Sequence, residues 1–276
     1  MDLAYNTNGF AHHRLDDILG ILADLGYAGV ALTPDVHHLD PFTSTPADVE
    51  RVRRRLESLR LSIVIESGAR FVLDPRRKHF PSLLTSDGFP RRQDFYRRLV
   101  DLAATLGATV VSIWSGRAED DTPAGDAALA TLAERLKPVL DHARARGITI
   151  ALEPEPGMRV ETLAEFTKLR TLVARDGRSL QLTLDVGHLA ATETAPFERH
   201  VAAHADALAN VQLDDSPVGV HEHRFFGDGA IDFPAIAAEL SRIAWRGPLG
   251  VELSRHSHDA VATARRAVQV LRGFGF

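Results

Sequence analysis

The stretch LAERLKPVLDHARARGITIALE, residues 132–153, contains one complete passage from a helix into a strand. Leu132, Leu136 and Leu140 recur at the spacing of one helix face. Gly147 predicts the end of that helix, and Pro138 predicts a kink or a break within it. The apolar run ITIAL that follows is typical of a strand covered on both faces.

Similar passages recur along the chain, and several have a helix-ending glycine such as Gly26 or Gly107. Eight strands are predicted: LAY (3–5), GVALT (29–33), SIVIE (62–66), TVVSIW (109–114), ITIAL (148–152), LQLTL (180–184), ANVQL (209–213) and LGVEL (249–253). Parallel neighbours need crossovers of a dozen residues or more, so eight such units predict one (β/α)8 TIM barrel domain over residues 1–276. A doubly wound open sheet is the alternative, but YNTNGFAHH after the first strand lacks a glycine-rich phosphate loop.

Composition narrows the class of protein. The chain is 45% hydrophobic and 25% charged with a net charge of -5, as in ordinary globular proteins, and it lacks the basic surface that nucleic-acid binding requires. Without cysteine, a metal site must use histidine and oxygen ligands. The N-terminus MDLAYNTNGFAHHRL lacks a signal-peptide pattern and no apolar run could span a bilayer, so we expect a cytoplasmic protein without membrane association.

Oxygen-bearing side chains stand at the ends of strands five to eight. These are Glu153, Asp185, Gln212 and Glu252. TIM barrels carry their active sites at this rim. Three converging carboxylates repel one another, and a divalent cation removes the conflict; oxygen ligands favour Mg2+ or Mn2+. The alternative for any one acid is an arginine partner or a helix cap.

Two further residues at strand ends, and one long loop, also face the predicted rim. Glu66 ends strand three and Trp114 ends strand four, where each could line a pocket or simply fill the barrel mouth. Residues 67–90 form the longest predicted loop, and loops of this length are usually functional or mobile. Its residues 76–78 are three cations that could bind an anionic substrate; the alternative is that they lie in a solvated loop.

Histidines follow strands six and seven. His188 lies three residues after Asp185, where an imidazole could reach a substrate oxygen or a second metal. His221 and His223 share a face if the chain is extended there. Arg224 could pair with a phosphate or carboxylate. A structural histidine at a helix start and a solvated loop are the alternatives.

The motifs ALEPEPG, LDVGH, VQLDDSP, HEHRFFGDGAID and GVEL, in this order, resemble the xylose-isomerase-like barrel superfamily of sugar isomerases, epimerases and endonuclease-IV-type enzymes. The resemblance implies that Glu153, Asp185, Gln212 and Glu252 bind one metal. Most members have histidine where Gln212 stands, but the hydroxypyruvate isomerase branch is similar in having glutamine. An amide oxygen is a hard ligand, so Mg2+ or Mn2+ is expected, with Zn2+ and Co2+ as alternatives.

The resemblance also implies the chemistry. A sugar, sugar phosphate or keto acid would be isomerised or epimerised by proton transfer next to a carbonyl through an enediolate, with Glu153 and Glu252 moving the proton. Isomerisation and epimerisation are not separated by the sequence. The expected substrate contacts are His188, His221, His223, Arg224, Glu66 and Trp114.

Three other functions stay open at this stage. A metal-dependent dehydratase or lyase begins with the same proton abstraction. An endonuclease-IV-like phosphodiesterase would need more histidines, which His37 or His38 could supply only after strand two, and a basic surface. A sugar-binding barrel without turnover would be favoured by loss of a proton-transfer glutamate. The oligomeric state is open and includes a homo-oligomer.

Overall fold

The computed structural model describes residues 1–117 and 125–276. Eight parallel strands close into a barrel in chain order, and β1 completes the ring by pairing with β8 through Tyr5 and Val251. The predicted (β/α)8 TIM barrel is therefore confirmed. The strands are β1 (Leu3–Asn6), β2 (Gly29–Leu32), β3 (Ser62–Glu66), β4 (Val110–Trp114), β5 (Thr149–Glu153), β6 (Gln181–Asp185), β7 (Leu208–Leu213) and β8 (Leu249–Val251).

Helices surround the barrel in the described ranges. They are α1 (Leu15–Asp24), α2 (Pro46–Leu59), α3 (Phe89–Leu106), α4 (Gly125–Ala145), α5 (Leu163–Ala174), α6 (Val186–Thr192), α7 (Glu198–Ala203), α8 (Phe233–Arg242) and α9 (Ala260–Gly273). Short 3-10 segments follow β1 (Thr7–Phe10) and β8 (Ser254–Asp259). None of these described helices has both the length and the apolar character needed to cross a membrane.

Local sequence signals account for many of the element boundaries. Helix α2 begins with a capping box between Thr45 and Asp48, which satisfies backbone groups at the helix start. Gly26, Gly107 and Gly147 all have positive φ, as expected at helix ends. Of the kink or break predicted at Pro138, the break is wrong, because α4 runs unbroken through this residue while leucines on one face stay buried. The kink stays a prediction.

The core has two parts. The larger part packs the helices against the outer face of the barrel. Inside the barrel, small apolar residues such as Val64 and Ala151 form a separate cluster. Side chains alternate along a strand, so Glu66 and Glu153, two residues further on, point into the same interior nearer the carboxyl ends. The interior therefore changes from apolar to polar towards the rim that bears the predicted site.

Candidate active site and metal centre

The structure brings the four predicted metal ligands to one rim. Glu153 and Asp185 are the last residues of β5 and β6, and Gln212 lies opposite Asp185 in the register of β6 and β7. Glu252 follows β8 directly, with its backbone N–H bonded to the carbonyl of Leu213 at 2.9 Å. Four neighbouring strands thus deliver three carboxylates and one amide to the same end of the barrel.

The spacing of these oxygens fits one divalent ion. Ligand atoms of Glu153, Asp185 and Glu252 all lie within 4.8 Å of one another. Oδ2 of Asp185 and Oε1 of Gln212 are buried without a hydrogen-bond partner among the described residues. Buried polar atoms normally have partners, so these two indicate a missing ligand. Carboxylate and amide oxygens are the donors that Mg2+ and Mn2+ prefer.

The electrostatics of the cluster also favour a cation. Burial, and then the neighbouring Glu155, Glu252 and Asp185, raise the pKa of Glu153 well above its ordinary value. Burial is likewise the main cause that raises the pKa of Glu252 to about 8. Without a cation, protons must therefore neutralise part of this cluster near pH 7. A bound divalent ion would replace those protons.

Hydrogen bonds hold two of the three acids, Asp185 and Glu252. Oδ1 of Asp185 accepts from the backbone N–H groups of Gly187 (2.7 Å) and His188 (3.2 Å), which caps α6 and leaves Oδ2 for the site. Position 187 must be glycine, because a Cβ there would lie 1.6 Å from Oδ1 of Asp214. Asn8 donates from Nδ2 to Oε1 of Glu252 at 2.7 Å. The donor set is therefore preorganised by the chain.

Glu66 is buried inside the barrel below the four predicted metal ligands. Asn210 donates from Nδ2 to its Oε1 at 2.9 Å. Burial raises the pKa of Glu66 to about 7, although hydrogen bonds from Gln212, Ser112 and Asn210 act in the opposite direction. The side-chain oxygen of Gln212 remains without a partner and is free for the site above.

Three histidines form one wall of the site. The centroid of the His188 ring lies 4.7 Å from the centroid of the His221 ring and 5.7 Å from that of the His223 ring. Burial lowers the pKa of His188, and it lowers the pKa of His221 to about 3, so both imidazoles are neutral near pH 7. Nδ1 of His223 contacts Asp214. Nitrogens of the three rings lie within 4.8 Å of one another and could hold a second ion.

Glu155 joins this wall and was missed from the sequence. Its carboxylate lies 3.7 Å from Nε2 of both His188 and His221. Burial raises the pKa of Glu155 to about 7. A signal was present in EPEP, because residues 153 and 155 share a face in an extended chain.

A cavity of about 250 Å3 opens above the acids. Of the predicted substrate contacts, Glu66, Trp114, His221 and His223 line it, and His188 lies beside it. Arg224 is exposed and outside the lining. Its backbone forms a bridge with Asp215, and its Nε pairs with Glu222 at 2.5 Å. Lining residues that the sequence did not single out include Asn8, Thr33, Arg70, His79 and Arg255.

The closed eight-strand barrel and the acids at the carboxyl ends of its strands are the features of a (β/α)8 barrel protein with an oxygen-rich site. Residues 19–274 match the family model described as xylose isomerase-like TIM barrel. The chain belongs to this family, as its motifs indicated.

Among curated proteins, the chain is similar to a 3-dehydroshikimate dehydratase from Pseudomonas aeruginosa, with 28% identity over 270 residues. The match covers 94% of this chain and 39% of the relative, so the chain spans about two fifths of that protein's length.

Solved structures share the fold at low identity. D-allulose 3-epimerase from Methylomonas sp. superposes with a TM-score of 0.76 at 19% identity, covering 99% of this chain and 96% of that one. A zinc-bound IOLI protein superposes with a TM-score of 0.77 at 18% sequence identity, and the match covers 99% of both chains. The 3-keto-D-glucoside 4-epimerase from E. coli superposes with a TM-score of 0.78 at 15% sequence identity, and the match again covers 99% of both chains.

Proposed function

We propose that this chain is a divalent-metal-dependent enzyme that moves a proton at a carbon next to a carbonyl, as an isomerase or epimerase of a small carbohydrate or keto acid. One observation carries the proposal: Glu153 at the end of β5 and Glu252 after β8 face the same cavity, with carboxylate oxygens within 4.8 Å of each other. The fold neighbours include several sugar epimerases, which is consistent with this chemistry.

The chain's own residues divide the work. Glu153 and Glu252 serve as the proton acceptor and donor, and the hydrogen bond from Asn8 fixes one oxygen of Glu252. When bound, a divalent ion supplies positive charge that stabilises the negative charge developing on the substrate oxygens. Trp114, His221 and His223 form cavity walls that would orient the substrate. Return of the proton to the neighbouring carbon gives isomerisation, and return to the opposite face gives epimerisation.

The donor set favours Mg2+ or Mn2+ over softer ions. Gln212 and the three carboxylates offer only oxygen. The zinc atom in the IOLI neighbour keeps Zn2+ as an alternative. We propose Glu153, Asp185, Gln212 and Glu252 as the ligands. A cytoplasmic location stays a prediction.

Dehydration is the second candidate. The curated relative that matches 94% of the chain is named as a dehydratase. Dehydration starts with the same proton abstraction, but a hydroxyl group then leaves and must receive a proton. Glu155, beside His188 and His221 in the wall of the site, is placed to supply it.

The remaining alternatives have less support. An endonuclease-IV-like site would need histidine ligands after strand two, yet Nε2 of His38 is bonded to the backbone carbonyl of His13 at 2.9 Å. No potential metal-binding group in the described ranges includes a histidine from the loops after β2 or β3. A non-catalytic barrel has no need of two glutamates facing one cavity.

The test is a screen for deuterium uptake from D2O, with Mn2+ present. D-Allulose, D-fructose, hydroxypyruvate and 3-dehydroshikimate would be incubated with the protein and followed by NMR. We expect at least one substrate to gain deuterium next to its carbonyl, and the product to distinguish epimer, isomer and dehydrated acid. The Glu252→Gln variant should exchange at least a hundredfold more slowly. Unchanged exchange in that variant, or none with any substrate, would contradict the proposal.

A further inference from the structure

Three cations stand around the mouth of the cavity that holds the acids. Arg70 and Lys78 lie in the loop between β3 and α3, and Arg255 lies in the 3-10 segment after β8. Arg255 and Lys78 are open to solvent over much of their surface, although the Lys78 ammonium is partly desolvated, whereas Glu66 and Glu153 in the same cavity are buried. The cavity therefore has a negative floor and a positive mouth.

These cations are poorly neutralised by the chain. Within residues 1–117 and 125–276, no ion pair within 4.0 Å joins Arg70 or Lys78 to a carboxylate; Nη1 of Arg255 lies 3.7 Å from Glu222. Burial, and then Arg70 and Arg255, lower the pKa of Lys78, while Glu155 acts in the opposite direction. Like charges that repel at a cavity mouth favour an anion between them.

The loop that carries two of the cations is tied in place. The backbone N–H of His79 donates to the carbonyl of Arg70 at 2.7 Å, which closes the part of the loop between these two residues. The buried guanidinium of Arg92 donates to the carbonyl of His79 at 2.8 Å, and the His79 ring packs edge-on against Trp114. The backbone that carries Arg70 and Lys78 is therefore fixed before binding, which lowers the ordering cost of placing the two side chains at the cavity mouth.

The neighbouring arginines of the loop are arranged differently. Arg77 pairs with Asp74 at 3.2 Å and its guanidinium lies over the ring of Phe80. Arg76 is exposed and does not line the cavity. Of the cations on this loop, Arg70 and Lys78 line the cavity, whereas Arg76 and Arg77 do not. Arg76 therefore provides a matched control on the same loop.

We propose that the substrate carries an anionic group, a carboxylate or a phosphate, and that Arg70, Lys78 and Arg255 bind this group at the cavity mouth. The inference rests on the proposed function only in placing a substrate in this cavity. With the anion at the mouth, the rest of a small substrate extends towards Glu153 and Glu252 on the floor. The chain's net charge of -5 would repel anions elsewhere on its surface, so the cationic mouth also supplies local attraction.

Binding of simple anions tests the inference without requiring turnover. Inorganic phosphate and malonate would be titrated calorimetrically into wild type, Arg76→Gln and the double variant Arg70→Gln, Lys78→Gln, with and without Mn2+. At least one probe should bind wild type and Arg76→Gln equally, and the double variant at least tenfold more weakly. The stronger probe distinguishes a phosphate from a carboxylate. Equal Mn2+ affinity in the three proteins would show that the double variant keeps its fold.

The two proposals fail separately. Equal anion binding by all three proteins, or no binding of either probe, would overturn the anion site even if neutral ketoses exchange deuterium. Anion binding that depends on Arg70 and Lys78, without deuterium uptake by any substrate in the screen, would overturn the proton-transfer function and leave the anion site standing.

Discussion

Asn8 contacts one of the two glutamates that are proposed to move the proton. Its Nδ2 donates to Oε1 of Glu252 at 2.7 Å across 244 positions of sequence. A hydrogen bond donated to a carboxylate stabilises its charged form and restricts its orientation. Asn8 is thus a positioning residue for Glu252 and does not itself move the proton.

Replacing Asn8 by alanine should lower kcat about tenfold and leave KM nearly unchanged. The pH at which activity reaches half its maximum should rise, because the carboxylate loses a donor that favours its charged form. Ser257→Ala is the matched control, since Ser257 bonds the backbone of Asn8 at 3.1 Å without touching Glu252. A fall in kcat with no movement of the pH profile would indicate a merely structural role for Asn8.

Some residues of the site could be predicted from the sequence, and others could not. Glu153 and Asp185 could be placed because acids at the ends of apolar strands must reach one rim of a barrel. Asn8, Arg70 and Arg255 could not, because their positions depend on loop conformations that tertiary contacts decide. Arg224 looked like an anion partner in the sequence, but it forms a backbone bridge with Asp215 and its guanidinium pairs with Glu222.

At the scale of elements, the loop between β7 and α8 is organised by one buried carboxylate. Asp215 accepts hydrogen bonds from the backbone N–H groups of four residues at 2.8 to 3.1 Å: Ser216, Gly227, Gly229 and Ile231. The loop enclosed by these bonds carries His221 and His223. Asp215 therefore links the stability of this element to the wall of the site.

Asp215→Ala should lower the free energy of unfolding by about 3 kcal/mol, because several buried N–H groups lose their acceptor. Asp215→Asn should lie between this variant and wild type, since one side-chain oxygen remains. Asp228→Asn, in the same loop but with an exposed side chain, is the control. Urea unfolding measures all four proteins. A loss below about 0.5 kcal/mol for Asp215→Ala would mean that water replaces the carboxylate at little cost.

The strands themselves were predictable to within two residues, because buried parallel strands read as short apolar runs. Helix α4 was less predictable. Pro138 removes one backbone donor, yet the helix continues through it while Leu132, Leu136 and Leu140 pack into the core. Packing of a long apolar face outweighed a local helix-breaking preference.

At the scale of the whole molecule, the barrel concentrates negative charge where four strands end. Burial raises the pKa of Glu252 to about 8, from an ordinary value of 4.5. A carboxyl whose pKa is raised on folding favours the folded state at low pH, and that contribution is lost as the pH rises from about 4.5 through 8. A divalent ion opposes the loss, because it stabilises the carboxylates as their protons leave.

Titration of Mn2+ into the metal-free protein tests the central claim most directly. We predict one Mn2+ per chain. Its affinity should rise at least tenfold between pH 6 and pH 8, because protons compete with the ion for Glu153 and Glu252. Asp185→Asn should bind at least tenfold more weakly, while Glu222→Gln, on a neighbouring loop, should match wild type. Absence of Mn2+ binding by wild type, or binding unaffected by both Asp185→Asn and pH, would contradict a metal centre at this rim.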